Sequence, residues 1–444
     1  MSSAPHREAE RGGGQQTLER VPLELSTTES WLDPFDWYAE MRENHPVRYD
    51  ERRRVWDVFR YADAARILSD PMTFSSDPTR ATELDLPEPE ARGPLFETML
   101  TSDGSRHDRL RGVVEESFRP RSLVPRAPHI RDVADDLLDD VVDRGEMDLI
   151  ADFAYPLPVV VIAELLGVPT EDRPTFKRWS DTLVETPADT SEAGLEAFAR
   201  ERRRVDDELR AYFEAILDDR RTDPRDDLVS DIVHAESDGE TLSHEEAVGF
   251  CILLLVAGNV TTTNLLGNAV RCLTAHPDAM ARLAADPTLT TTAVEEVLRY
   301  RSPVQALVRV ATRDVELAGA DVHTGDAVVP WLGSANRDPA VFDAPDEFRI
   351  DRTPNSHLGF GRGTHYCLGA PLARLEARIA LEQLFARVTD VERASTELDP
   401  VRSAFIYGVR SFPIRYRAHP ETTPRPQVET VDDGATTRRT DRNA

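Results

Sequence analysis

The sequence predicts an α+β fold in which helices dominate. Two observations carry this. A long apolar helix, opened by the capping box Ser243-His244-Glu245-Glu246, runs to about Ala275 and stops before Pro277. After Pro303 the texture changes to short alternating segments, Val304–Val310 and Val315–Leu317, with turns at Gly319 and Gly325, and these read as strands.

The remaining elements follow in order. Residues 1–20 and the tail from about His419 to Ala444 lack hydrophobic periodicity and read as disordered. Pro34 to Asn44 reads as a short helix. Val47–Tyr49 and Val55–Val58 flank a charged turn and read as a hairpin. Tyr61 to Ser69 is helical and ends before Pro71. Phe74 to Leu100, rich in Pro, Asp, Glu and Thr, reads as a long functional loop. Arg109–Phe118, Ile130–Asp143 and Val159–Leu166 are helical. Leu195, Phe198, Val205, Leu209, Tyr212, Phe213 and Ile216 fall on one face of another helix. Leu368 to Val388 reads as the last. No repeat and no central linker divide the chain, so one domain over residues 21–418 is expected, with 1–20 and 419–444 as its disordered flanks.

Composition narrows the function. The net charge is −28, from 81 acidic and 53 basic residues, which excludes nucleic-acid binding as an expectation. Lys177 is the one lysine. Acidic excess with lysine depletion points to a halophilic, salt-rich cytoplasm, where self-repulsion is screened. Three cysteines, Cys251, Cys272 and Cys367, give no disulfide framework, so a cytoplasmic location is expected. The polar N-terminus resembles neither a signal peptide nor a membrane anchor, and the apolar run Ala247–Gly258 is too short to span a bilayer.

The chemistry is concentrated in the run Phe360-Gly361-Arg362-Gly363-Thr364-His365-Tyr366-Cys367-Leu368-Gly369. Two glycines permit a tight loop with positive φ. The thiol then precedes a helix, whose unpaired N–H groups and dipole favour the thiolate, the metal-binding form. With no second cysteine nearby, zinc and iron–sulfur sites are excluded, but a single axial ligand to haem iron is not. Alone, Cys367 reads as a buried inert thiol; the loop around it changes that reading.

This decamer resembles the haem loop F-G-x-G-x-H-x-C-x-G of the cytochrome P450 family at all six fixed positions. The resemblance covers about Leu32 to Arg417 and implies the P450 fold, haem b, and a monooxygenase with Cys367 as the metal ligand. Phe360, Gly361 and Gly369 would shape the cofactor seat. Ala257-Gly258-Asn259-Val260-Thr261 resembles the family's A-G-x-[Asp/Glu]-T on the oxygen side, so Ala257, Gly258 and Thr261 carry the catalytic role. Val260 occupies the acid position and cannot relay a proton. Asn259, Thr262, water or substrate are the candidates to substitute. Glu296-Val297-Leu298-Arg299 resembles the structural E-x-x-R pair. The usual third cation is replaced by Glu347, which leaves Arg349 or Arg352 to supply it. His107, Arg111, Arg309 and His365 match the positions that hold the haem propionates.

The resemblance further implies O2, a small, largely hydrophobic substrate, and a ferredoxin-type donor with an NAD(P)H reductase. Arg111, Arg119, Arg121, Arg362, Arg374 and Arg378 form a basic cluster suited to an acidic donor. The expected pocket walls are Phe74–Leu100, Leu254, Ala257, Val304–Leu307 and Phe405-Ile406-Tyr407. A peroxide-driven oxidase and a non-catalytic haem sensor remain as alternatives, the first motivated by Val260.

Overall fold

The computed structural model describes residues 21–84, 93–185, 187, 191–237 and 240–419. The expected disordered flanks therefore lie outside the described residues, apart from His419. The fold is organised around the helix His244–Ala275. Its capping box forms as the sequence predicts, and it ends at His276, held extended by the following proline. Between Glu246 and Leu273 every residue is buried except Ala257, Gly258 and Thr261. A helix that is apolar all round belongs in a core; an interruption of three residues in such a helix marks an internal cavity. The helix is long and apolar enough to cross a membrane, contrary to the expectation from its longest uninterrupted run, but 83% of its apolar window is buried inside the protein.

Helices pack around this axis on several sides. Pro156–Leu166 and Glu192–Thr222 lie against it, as does Ala370–Arg387, which follows the cysteine. A five-stranded sheet runs in the order Val47–Asp50, Val55–Val58, Ala327–Pro330, Arg309–Ala311, Phe74–Ser75. The first pair is the predicted antiparallel hairpin, and Ala327–Pro330 adds parallel to it. Val315–Leu317 and Ala320–Val322 form a small hairpin, whose turn needs the positive φ of 86° that Gly319 supplies. A second sheet joins Val388–Arg393, Pro413–Ala418 and Glu146–Asp148.

The helix Tyr61–Ser69 has the predicted bounds. Three others begin earlier than the sequence suggests, at Gly104, Ala127 and Pro156. Pro128 and Pro156 sit in first turns, where a missing N–H costs nothing, so apolar periodicity alone starts the helix too late. In the predicted long loop, Phe74–Ser75 is a sheet strand.

Behind the cysteine loop lies a buried carboxylate. Glu296 and Arg299 have no exposed side-chain surface. Arg299 donates to both Glu296 oxygens at 2.8 Å and spends its other N–H groups on the carbonyls of Asn336, Pro345 and Glu347. Arg352 is the third cation, with Nε at 3.2 and 3.1 Å from the two oxygens. Arg349 contributes only its backbone N–H, at 2.8 Å, and Asn355 its side-chain amide, at 3.1 Å. Glu347 thus enters through its carbonyl, which any residue could provide. Glu296→Gln would leave two guanidinium groups buried without their anion and should lower unfolding free energy by about 3–5 kcal/mol. Arg352→Met should cost less, because Arg299 keeps its bidentate partner. Urea unfolding of the two variants checks the order.

Candidate active site

The segment from Leu358 to Gly369 is a tight loop with Gly361 at φ 71° and Gly363 at φ 73°. Its closing bond runs from the Cys367 N–H to the Phe360 carbonyl, 2.9 Å. A Cβ on Gly363 would come within 2.7 Å of the Leu68 carbonyl, so the loop docks backbone to backbone on the end of Tyr61–Ser69. Arg374, one turn into the following helix, clamps the loop. It lies 4.5 Å over the Phe360 ring, donates to the Tyr366 hydroxyl at 3.0 Å, and is held by Glu295 at 2.6 and 2.9 Å. Burial alone would raise the Glu295 carboxyl, but Arg374 and His357 hold it down at about 2.

Cys367 opens into a cavity that is also lined by Ala257, Gly258 and Thr261, the three residues that interrupt the buried helix. Much of the rest of the lining is apolar, with Leu100, Ile162, Leu254, Val304 and Leu307 among its residues. The turn Phe405–Tyr407 does not reach it among the described residues; Ile406 instead pairs with Val304, and Tyr407 is buried against Phe35. Thr261 donates to the Ala257 carbonyl at 2.8 Å, which leaves its oxygen lone pairs free to accept in the cavity. Val260 is turned away, into a recess with Tyr155, Lys177, Asp181, Glu185 and Arg410.

The electrostatics at sulfur differ from the simple helix-end argument. Burial pushes the Cys367 thiol up. The N–H groups of Gly369 and Ala370, and the charges of Arg111 and Arg374, pull it down by less. The helix end alone therefore does not hold a thiolate; a coordinated cation would supply the missing charge. Among the described residues no cluster of three or more His, Cys, Asp or Glu could hold a bare metal ion. A metal at this sulfur must bring its other ligands with it, as haem iron does.

The proposed propionate anchors fit that group. His107, Arg111 and His365 line the cavity together, with the two imidazole rings 4.3 Å apart. Arg111 also donates to the Tyr366 carbonyl at 3.0 Å. Arg309 is not among the lining residues but is electrostatically coupled to His365, which is. Arg309 is buried, its one side-chain hydrogen bond among the described residues goes to the Val308 carbonyl, and burial pushes its guanidinium down to about 10. A buried cation with no carboxylate in bridging distance among the described residues suits an incoming anion. Gly369 faces the cavity, and a Cβ there would meet nothing within 4 Å, which leaves room for a flat ring.

Sequence reasoning missed Asp103. It sits just before the helix that bears His107 and Arg111, yet it does not cap that helix. Instead it accepts from His365 Nε2 at 3.2 Å, from the Ser75 hydroxyl, and from the Ser76 N–H at 3.1 Å. Burial would raise its carboxyl, but these bonds hold it down at about 2. The signal available was an Asp at a helix start, which ordinarily means a cap. The missed residues also include Glu295 and His357, which position Arg374.

The family profile described as cytochrome P450 matches residues 34–389. The chain is 42% identical over 401 residues to the putative cytochrome P450 YjiB of Bacillus subtilis, covering 90% of this chain and 98% of that protein. It is 43% identical over 407 residues to the erythromycin C-12 hydroxylase of Saccharopolyspora erythraea, covering 90% and 97%. The crystal structure of CYP109E1 from Bacillus megaterium with testosterone superposes with a TM-score of 0.82 at 43% identity, over 88% of this chain and 99% of that one.

Because the Asp103 carboxyl is held below its unfolded value, its bonds stabilise the fold above about pH 4 and cease to do so as pH falls towards 2. Asp103→Asn should cost about 1–2 kcal/mol at pH 7, allowing for partial solvent screening. The gap to the parent protein should narrow in acid, which urea midpoints at pH 7 and pH 3 would compare.

Proposed function

The chain belongs to the cytochrome P450 family and is a haem b monooxygenase, and from that premise we propose its substrate class, its electron source and the roles of its site residues. One oxygen atom from O2 goes into a small, largely hydrophobic, uncharged molecule. Electrons come singly from a separate ferredoxin-type protein served by an NAD(P)H reductase. The observation that carries this is that Cys367 shares one mostly apolar cavity with the only break in the buried face of the long helix. Bound haem supplies the oxidative chemistry. Cys367 would supply the thiolate that holds its iron. His107, Arg111, Arg309 and His365 would neutralise its carboxylates, and Phe360, Gly361 and Gly369 would shape its seat. Thr261 accepts and passes a proton on the oxygen side, beside the room left by Ala257 and Gly258. Glu296 and Arg299 hold the loop in shape from behind.

Charged side chains in the lining belong to the propionate and sulfur sides; the Leu254, Ala257, Val304 and Leu307 wall has none. An apolar wall of this kind favours molecules without a charge to desolvate. The testosterone bound by the Bacillus megaterium relative makes neutral steroids the first probes. The acidic excess and single lysine support a salt-rich cytoplasm as the working environment.

The basic cluster is less free than the sequence suggests. Arg119 and Arg121 pair with Glu116, Arg374 with Glu295, and Arg378 with Glu382. Arg362 is exposed on the cysteine loop and becomes the centre of the proposed donor face. Arg362→Glu should slow reduction by a ferredoxin several-fold in low salt and leave substrate affinity unchanged; stopped-flow reduction measures it.

A second reading, oxidation driven by peroxide without a protein donor, rests on Val260 at the acid position. Turnover with hydrogen peroxide alone, compared with donor and O2, separates the two. The ligation is tested by the carbon monoxide spectrum of the reduced protein. Cys367→Ala should lose the thiolate-ligated Soret band, and a variant that kept it would reject the assignment. A neutral steroid should shift the spin state at lower concentration than an amphiphile of equal size bearing a carboxylate.

A further inference from the structure

The helix Ala370–Arg387 turns a stripe toward the cavity on the sulfur side: Gly369, Leu372, Ala373 and then Glu376. The first three are small or apolar, as a flat ring above them requires. Glu376 is not. Its side chain is 2% exposed, and its Oε2 finds no hydrogen-bond partner among the described residues. A buried carboxylate without a partner is costly, and the group responds by keeping its proton. Burial is the sole cause acting on it, and pushes its carboxyl up to about 8.

The charges nearby are otherwise engaged. On its own helix, Arg374 is held by Glu295 and Arg378 by Glu382. On the helix Ala127–Asp139 packed alongside, Asp135 and Asp139 pair with Arg387. On Thr290–Tyr300, Glu296 is taken by Arg299 and Arg352. On Pro120–Leu123, Arg121 pairs with Glu116. On the long helix, Arg271 lies over the Tyr407 ring. On the strand Val388–Arg393, Asp390 pairs with Arg417. The titratable groups that share the cavity are His107, Arg111, His365, Tyr366 and Cys367. His365 is shifted down, by burial first.

We propose that Glu376 is a positioning residue for electron entry: the carboxyl whose proton binding is coupled to reduction of the site. The inference rests on the haem reading above. When the site accepts one electron from an external one-electron donor, the ionised Glu376 takes one proton from solvent and forms one O–H bond. The net charge of the buried site is then unchanged. Below the carboxyl's titration the proton is already in place and nothing further is taken up. An added negative charge in an apolar surrounding is disfavoured, so proton and electron arrive together only on the alkaline side.

The test is the reduction potential of the holoprotein from pH 6 to pH 9.5. The parent protein should be flat below about pH 7 and fall above about pH 8, by up to 59 mV per pH unit, the one-electron value for a tenfold change in proton activity. Glu376→Gln should be flat throughout. A flat parent profile, or a variant that keeps the alkaline slope, overturns the proposal. If the variant does not take up haem, redox-difference infrared spectra of the parent at pH 9 decide: a protonated carboxyl band that appears on reduction and moves with ¹³C-glutamate supports the coupling, and its absence overturns it. The carbon monoxide spectrum separates the two levels. A normal thiolate band with a flat potential rejects the coupling alone, whereas a missing band rejects the ligation and the coupling with it.

Discussion

The shape of the site depends on one buried anion. Glu296 is enclosed, yet its two oxygens are fully occupied by two guanidinium groups, a backbone N–H and a side-chain amide. Those donors come from residues 299, 349, 352 and 355, so one carboxylate gathers the chain on either side of a long segment that includes four strands. Arg299 extends the reach to the Asn336, Pro345 and Glu347 carbonyls, and Asn336 in turn receives the Leu358 N–H at the mouth of the cysteine loop. Satisfying a charge in a dry interior requires many partners at once. That requirement, more than local propensity, fixes where the loop begins.

Much of this was legible in the sequence, and what was legible has a common character. The long helix and its capping box, the hairpin around residues 51–54 and the helix Tyr61–Ser69 are local features, set by caps, turns and periodicity. The decamer carried its chemistry in six residues. The parts that escaped are set by distant partners. Arg352 could not be chosen over Arg349 from spacing, because a backbone N–H and a side chain reach the same oxygen. Asp103 looked like a cap, but its carboxylate is claimed by His365, 262 residues away. Glu376 occupies an ordinary helix position, and only packing reveals that its Oε2 has no partner among the described residues.

The cavity separates its electrostatic duties by wall. Cations gather where propionates are expected, and the wall of Leu254, Ala257, Val304 and Leu307 carries no charge. The substitution at Val260 fits this division, since that side chain belongs to the core and to a different recess. Losing an acid there removes a charge from behind the helix without altering the shape of the reaction space.

The contact between Gly363 and the Leu68 carbonyl carries a consequence for protein engineering. The loop's curvature is moulded by an outside surface, the blunt end of a helix some 295 residues earlier in the chain. Grafting the decamer into another scaffold would transfer the ligand without its mould. The transplantable unit is the pair, loop and helix terminus together, and chimaeras between relatives should place their junctions so that both halves come from one parent.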